Sequence, residues 1–167
     1  MIIETQKLMQ VSMSTLAQLK NLTNHSIRGD FDDRGEYQGS HFRGVLRALE
    51  DNYYISPRVK NAQAFMARDP ATGRIMGWCL LEIMAGHTAI DIGTYVDPEY
   101  RKRGAGALLV KEAIKYATSL QYVALIYAES WNKSSDRFYK SLGFKAENTY
   151  NATENGSLYY DVKNGIT

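Results

Sequence analysis

The stretch YVDPEYRKRGAGALLVKEAIKYA, from Tyr95 to Ala117, reads as the end of a strand, a proline turn and the start of a helix. Three cations, Arg101, Lys102 and Arg103, stand where that helix is expected to begin. The N-terminus of a helix already carries a partial positive charge, so each cation near it is expected to cost roughly 0.3–1 kcal/mol. The sequence therefore raises the question of what offsets this repulsion.

Two glycines after the cations favour an anion-binding turn. Gly104 and Gly106 remove side chains where the backbone would approach a ligand closely. Apolar residues recur at helical spacing from Leu108 to Leu120, which places both glycines in the first turn of the helix. Free N–H groups of such a turn bind anions, and a bound phosphate would attract the three cations. The alternative is a solvated, charged turn with a flexible glycine pair.

This glycine pair fits neither of the common nucleotide fingerprints. Leu109 stands where the third glycine of Gly-x-Gly-x-x-Gly would be. No Gly-Lys-Ser/Thr follows the glycines, so the stretch is not a P-loop.

The composition predicts a single globular domain over residues 1–167. The chain is 44% hydrophobic and carries a net charge of +2, which favours a substantial core and argues against nucleic-acid binding. The single cysteine, Cys79, lies in an apolar run and reads as a buried thiol, and it excludes a disulfide framework and a multi-cysteine metal site. No membrane-spanning segment or signal peptide is recognisable, so we expect a cytoplasmic protein without a membrane partner.

The order of elements predicts the fold class. Hydrophobic periodicity and turn residues give the order β-α-α-β-β-β-α-β-α-β-β, with a polar loop at residues 27–37 and a second helix at residues 39–51. One strand–helix–strand unit in the middle requires a parallel crossover, and the other connections suit antiparallel pairs. We therefore expect an α/β fold of the α+β type: a mixed, mostly antiparallel sheet of six to seven strands with helices on both faces.

The opening stretch also resembles a known signature. The residues VDPEYRKRGAGA are similar to the acetyl-CoA signature of the GNAT family of N-acetyltransferases, Val-x-Pro followed by Arg/Gln-x-x-Gly-x-Gly/Ala. The positions that match it are Val96, Pro98, Arg101, Gly104 and Gly106.

A second stretch, NKSSDRFYKSLGF, resembles the family's Asn-x-x-Ala-x-x-Phe-Tyr-x-x-x-Gly-Phe motif. The matching positions are Asn132, Phe138, Tyr139, Gly143 and Phe144, and Ser135 replaces the usual alanine. The resemblance runs from about Ala62 to Val162, and the two motifs stand at the family's separation.

The resemblance implies a GNAT-like acyltransferase fold that uses acetyl-CoA as co-substrate and no metal. In this family the strand ending at Val96 and the strand YVALIYAES diverge, and the pantetheine arm of coenzyme A lies in the gap. The implied cofactor-binding residues are Tyr95, Val96, Arg101, Lys102, Arg103, Gly104, Ala105, Gly106, Ala107 and Asn132.

The implied reaction is direct acetyl transfer from the thioester to a primary amine of a small molecule or protein. The attacking amine must be neutral, and the leaving thiolate must be protonated or otherwise stabilised. Tyr139 matches the family's general-acid tyrosine; its other interpretation is an ordinary core aromatic beside Phe138.

The base is left open between three carboxylates and a water chain. Ile90 and Tyr127 occupy the two positions where relatives carry a catalytic glutamate. Glu129, two residues after Tyr127 and on the same side of a regular strand, is the first choice. Asp91 would face the opposite side from Ile90 unless a bulge shifts it, and Glu82 on the preceding strand is the third option.

The sequence indicates the acceptor and the partners of the protein only in general terms. An acidic loop is expected to border the acceptor cleft and would suit a cationic amine, with Asp30, Asp32, Asp33 and Glu36 as its members. A noncatalytic acyl-CoA-binding module is the alternative function. An exposed edge of the C-terminal strand pair would also suit a homodimer.

Overall fold

A computed structural model describes residues 1–25, 57–84, 86–130, 133–148 and 156–164 of the chain. The strands of this part form one sheet: β1 (Ile2–Lys7), β2 (Gln63–Arg68), β3 (Ile75–Glu82), β4 (Ala89–Val96), β5 (Leu125–Ser130), β6 (Lys145–Asn148) and β7 (Gly156–Asp161). The helices are α1 (Met13–His25), α2 (Pro57–Lys60), α3 (Ala105–Ser119) and α4 (Lys133–Ser141), with 3-10 turns at Leu8–Gln10 and Pro98–Tyr100. None of these described helices is both long enough and apolar enough to cross a lipid bilayer.

The sheet is mixed and mostly antiparallel, as predicted. Its strand order is β1-β2-β3-β4-β5-β7-β6. Among the described strands, β4 and β5 form the one parallel pair, and α3 connects them. The predicted closing pair, β6 and β7, is antiparallel, and β7 also pairs with β5 along its whole length. The last described strand therefore lies inside the sheet and not at its edge.

Each face of the sheet is covered by helices, which confirms the predicted layers. On one face, Leu109 and Ala113 of α3 and Tyr139 of α4 pack against a core that includes Phe65 and Ile126. On the other face, α1 and α2 cover a second cluster around Trp78 and Leu80. Burying one large apolar side chain stabilises a fold by about 1.5–3 kcal/mol, so both clusters hold the sheet in place.

The start of α1 is fixed by a serine cap. The backbone N–H of Thr15 donates to Oγ of Ser12 at 3.1 Å, so Ser12 is the N-cap. Leu16 and Leu19 then point into the second cluster.

The segment before β2 departs from the prediction. The predicted order has no helix between the one at residues 39–51 and the next strand, but α2 forms one helical turn at Pro57–Lys60. Proline is well suited to the first position of a helix, because its missing N–H would have no intrahelical partner there. The predicted polar loop at residues 27–37 and the second helix at residues 39–51 lie outside the described residues.

The parallel pair separates part-way along its length. Ala89, Ile90 and Asp91 of β4 pair with the first three residues of β5. Beyond that point β4 continues to Val96 and β5 continues to Ser130, but the two strands no longer pair with each other. The divergence implied by the family resemblance is therefore present, and it opens a wedge in the middle of the sheet.

Candidate active site

A cleft of about 450 Å³ occupies the wedge between β4 and β5. It takes side chains from β3, β4, β5, α4 and β7. Its polar lining residues are Glu82, Asp91, Thr94, Tyr127, Glu129, Ser135, Tyr139 and Ser157. Strand divergence therefore gives one pocket access to groups from both faces of the sheet.

The turn that leads into α3 has the backbone that the sequence suggested. Gly104 is the N-cap and adopts φ 85°, a left-handed conformation that glycine adopts without steric cost. The first bond of the helix runs from the N–H of Leu108 to the carbonyl of Gly104 at 3.0 Å. The N–H groups of residues 105–107 come before that first bond and, like the first N–H groups of any helix, have no intrahelical acceptor. They can therefore donate hydrogen bonds to an anion.

Gly106 has a packing reason that the sequence did not reveal. A Cβ atom at this position would stand 3.2 Å from Cζ of Phe138 and 3.5 Å from Cγ2 of Val96. The absence of a side chain thus lets α3 approach α4 and the end of β4. At Gly104, by contrast, the space is open and the backbone angle makes glycine favourable.

Two of the three cations hold the turn against nearby aromatic rings. Nε of Arg101 donates to the carbonyl of Val96 at 2.9 Å, and its guanidinium lies 5.7 Å from the ring centre of Tyr95. The guanidinium of Arg103 lies 5.4 Å from the ring centre of Tyr100. These contacts fasten the basic turn to the end of β4 and keep its positive charge at the start of α3.

Tyr139 is positioned by the end of α4. The helix closes with a Schellman motif, in which the N–H of Phe144 donates to the carbonyl of Tyr139 at 3.1 Å and the N–H of Gly143 donates to that of Lys140 at 3.1 Å. Gly143 takes φ 96°, as expected for the residue that ends the helix. The ring of Tyr139 lies 5.1 Å from that of Phe144, so little freedom remains for the side chain.

The hydroxyl of Tyr139 takes part in a partly buried chain of hydrogen bonds. It donates to Oγ1 of Thr94 at 3.2 Å, and the Thr94 hydroxyl donates to Sγ of Cys79 at 3.7 Å. Burial raises the pKa of the Tyr139 hydroxyl well above its usual value, with the hydrogen bond to Thr94 opposing part of the shift. Burial likewise raises the pKa of the Cys79 thiol to about 12. Both groups are therefore protonated at neutral pH, and Cys79 is the buried thiol that we predicted.

All three candidate carboxylates line the cleft. Glu82 and Asp91 face each other across the β3–β4 register, and Arg58 forms ion pairs with both, at 3.6 Å to Glu82. Asp91 faces away from the buried Ile90, as expected of a regular strand. Glu129 follows the partner of Asp91 in the β5 register by two residues, and it lies on the same face.

The structure therefore brings Tyr139 and Glu129 to one cleft from opposite faces of the sheet. Asn132 lies outside the described residues, and so does the acidic loop.

Two groups in or beside the cleft were not predicted from the sequence. Thr94 could have been found from its position two residues before Val96 in the strand, whereas Arg58 had no local signal. Within the described residues, no cluster of three or more His, Cys, Asp or Glu side chains could hold a metal ion.

Comparison with known families decides the relationship. The family model described as "Acetyltransferase (GNAT) family" matches residues 31–144. The chain belongs to the GNAT acetyltransferase family. Its two motifs at Val96–Gly106 and 132–144 fall within that match or at its boundary, so the resemblance predicted from them is confirmed.

A curated relative supports the same family. An uncharacterized N-acetyltransferase of Methanocaldococcus jannaschii is 27% identical over 106 residues. The match covers 63% of this GNAT chain and 44% of the relative, so the chain spans less than half of that protein's length.

Solved structures show the same fold. An aminoglycoside 6'-N-acetyltransferase with coenzyme A superposes with a TM-score of 0.69 at 17% identity, covering 97% of each chain. The PaiA N-acetyltransferase of Thermoplasma acidophilum, also with coenzyme A, has a TM-score of 0.67 at 20% identity, covering 96% of this chain and 99% of the other. A chimeric spermidine N-acetyltransferase from Vibrio cholerae has a TM-score of 0.68 at 17% identity and covers 98% of each chain. The predicted GNAT fold is thereby confirmed.

Proposed function

We propose that this protein is an acetyl-CoA-dependent N-acetyltransferase that moves the acetyl group directly from the thioester to a primary amine. The observation that carries the proposal is the cleft at the β4–β5 divergence, which Tyr139 and Glu129 enter from opposite faces of the sheet. One face then supplies a proton donor, and the other supplies a carboxylate.

The cleft and the turn beside it fit the shape of coenzyme A. Past Asp91, β4 is not paired with β5, so its backbone can hydrogen-bond an extended pantetheine arm. The start of α3 offers N–H groups at Ala105, Gly106 and Ala107 to the diphosphate. Lys102 and Arg103 add positive charge, which answers the question raised by the sequence: a bound diphosphate makes the three cations favourable.

The chemistry requires one proton to leave the amine and one to reach the sulfur. Nitrogen attacks the thioester carbonyl, the new carbon–nitrogen bond forms, and the carbon–sulfur bond breaks with its electron pair going to sulfur. We assign the carboxylate of Glu129 as the group that takes the proton from the amine. The hydroxyl of Tyr139 supplies the proton that reaches the sulfur. Glu129 is assigned as the base because it lines the cleft from the face opposite Tyr139, on the strand that diverges from β4.

The lining favours a cationic acceptor. Among the described residues that line the cleft, three are carboxylates and none is a cation, and the neighbouring Arg58 is ion-paired with two of the three. Such a field attracts an amine that carries further positive charge. The fold itself does not select the acceptor, because the aminoglycoside and spermidine enzymes superpose on this chain equally well.

Two measurements test the proposal. Calorimetry should detect acetyl-CoA binding, and a panel of primary amines should release free thiol from acetyl-CoA in the presence of the protein. Binding without thiol release for any amine would identify a noncatalytic acyl-CoA-binding module instead. A protein that fails to bind acetyl-CoA at about millimolar ligand would contradict both functions.

A further inference from the structure

Three neutral groups, of which Cys79 and Tyr139 are buried and Thr94 is partly buried, connect the strands β3 and β4 to the helix α4. The Tyr139 hydroxyl donates to Thr94 at 3.2 Å, and Thr94 donates to Cys79 at 3.7 Å. Tyr139 is 5% exposed and Cys79 is 0% exposed. Thr94 and Tyr139 both line the cleft, so this chain of hydrogen bonds ends at the proposed site of acetyl transfer.

The order of donors fixes the direction of the Tyr139 hydroxyl. A threonine hydroxyl has one proton and can accept on its oxygen. Because the Thr94 proton is directed at Cys79, the Thr94 oxygen is left as an acceptor for Tyr139. Thr94 thereby holds the hydroxyl of Tyr139 at one position on the wall of the cleft.

Proton donation by Tyr139 leaves a phenolate, which the hydrogen bonds through Thr94 can stabilise. A thiol is a stronger acid than a phenol, with ordinary pKa values near 8.5 and 10, so a phenol gives its proton to a thiolate only if the phenolate is stabilised. Burial makes a phenolate at Tyr139 still less favourable. A neighbouring hydroxyl that turns to donate to the phenolate would offset that cost.

We propose that Thr94 is the positioning residue for Tyr139, holding its hydroxyl before acetyl transfer and donating to its phenolate oxygen afterwards. The inference rests on the proposed function. When the Tyr139 proton moves to the departing thiolate, the Thr94 hydroxyl rotates to donate to Tyr139, and the Cys79 thiol rotates to donate to Thr94. No other bond changes, and the phenolate regains its proton from water once the product leaves.

The kinetic test compares two substitutions at one position. Thr94→Val keeps the shape of the side chain but removes the hydroxyl, and we expect kcat to fall about ten- to hundredfold. The KM for acetyl-CoA should change by less than about threefold, because the lost interaction belongs to the transition state. Thr94→Ser keeps the hydroxyl and should retain at least about a third of the wild-type kcat. Thr118→Val removes a hydroxyl that bonds only within α3, to the carbonyl of Ile114, and serves as the control.

A double variant separates positioning from simple packing. If Thr94 acts through Tyr139, Thr94→Val should cause no further loss of kcat in a Tyr139→Phe background. A packing defect would instead lower kcat again in that background. Additive losses, or a wild-type kcat in Thr94→Val while Tyr139→Phe is impaired, would overturn the inference and leave the role of Tyr139 intact.

A spectroscopic readout tests the inference without turnover. In protein labelled with carbon-13 at Cζ of tyrosine, the resonance missing from Tyr139→Phe identifies Tyr139. That resonance should shift in Thr94→Val and stay in place in Thr94→Ser and Thr118→Val. An unshifted Tyr139 resonance in Thr94→Val would overturn the inference even with an active enzyme, whereas absence of wild-type turnover with every amine would overturn the proposed function itself.

Discussion

Gly106 of α3 lies so close to Phe138 of α4 that a Cβ atom on the glycine would be 3.2 Å from Cζ of the ring. The helix that starts the proposed diphosphate site and the helix that carries Tyr139 therefore meet at the smallest residue available. Phe138 also contacts Tyr139, with 5.0 Å between the ring centres. A change at Gly106 is thus transmitted to both halves of the candidate site.

Replacing Gly106 by a larger residue should destabilise the fold. In Gly106→Leu the side chain must displace Phe138, and we expect the free energy of unfolding to fall by about 1–3 kcal/mol in urea titrations. Phe138→Ala makes room for the new side chain, so the double variant should lose less than the sum of the two single losses. A sum that is fully additive would show that the two helices do not press on each other here.

Removing the hydroxyl of Tyr139 should slow acetyl transfer and leave binding intact. We expect Tyr139→Phe to lower kcat by about a hundredfold, because the thiolate loses its proton donor, with little change in the calorimetric affinity for acetyl-CoA. Tyr116→Phe is the matched control, since Tyr116 lies on α3 and its ring contact with Phe65 does not need the hydroxyl. An unchanged kcat across pH in Tyr139→Phe would remove Tyr139 from the mechanism.

Neutralising Glu129 should change the pH dependence of the reaction. In Glu129→Gln no carboxylate takes the amine proton, so kcat/KM should fall about ten- to hundredfold near neutral pH. The loss should shrink as pH rises, because a larger fraction of the acceptor amine is then already neutral. Glu112→Gln, on α3 and not among the residues that line the cleft, is the control. If both variants behave like wild type at every pH, a water chain or another carboxylate acts as base.

The charge of Arg58 should act on the acceptor and not on acetyl-CoA. Arg58→Met keeps most of the side-chain stem but leaves Glu82 and Asp91 without this partner. We expect the KM for a cationic amine to decrease severalfold at low salt and the effect to shrink at high salt, as screening predicts. Steady-state kinetics with the best amine from the panel measures it, and a rise in KM would show that the acceptor is not drawn by negative charge.

Alkaline pH should destabilise the protein partly through Cys79. Burial raises the pKa of this thiol from 9.0 to about 12. Above about pH 9 the unfolded chain loses the thiol proton and the folded chain keeps it, so the free energy of unfolding falls with rising pH, by about 1.4 kcal/mol per pH unit for one such group. Below about pH 9 both states keep the proton, and this component of stability is fully present.

The test of this prediction is the difference between wild type and Cys79→Ala in urea titrations from about pH 8 to about pH 11. The variant lacks the thiol, so its stability should fall less steeply and the gap between the two proteins should narrow as pH rises. Parallel slopes for the two proteins would mean that the Cys79 thiol ionises as easily in the folded state as in the unfolded one.

Local sequence signals were sufficient for most elements of the fold. Alternation and turn residues predicted the strands, and the apolar spacing from Leu108 to Leu120 predicted α3. The parallel pairing of β4 with β5 followed from a strand–helix–strand unit. These features depend on neighbours in the chain, and their signals are therefore readable along the sequence.

Features that depend on contacts between residues far apart in the chain could not be predicted from the sequence. The pattern of the closing pair suits either strand as the neighbour of β5, and only packing selects β7. Arg58 lies in a segment without periodicity, and its two carboxylate partners come from β3 and β4. The bond between Tyr139 and Thr94 joins residues 45 positions apart, so the motif identified Tyr139 but not the group that holds it.

The insertion of β7 between β5 and β6 has a consequence for biosynthesis. The free edge of β5 obtains its partner only when Gly156–Asp161 has left the ribosome, whereas β1 to β4 can already pair in chain order. Until then β5 presents open backbone groups that invite pairing with another chain. The cleft of the proposed active site is therefore completed only after β7 has emerged, and a ribosome stalled before this strand emerges would expose an incomplete, aggregation-prone polypeptide.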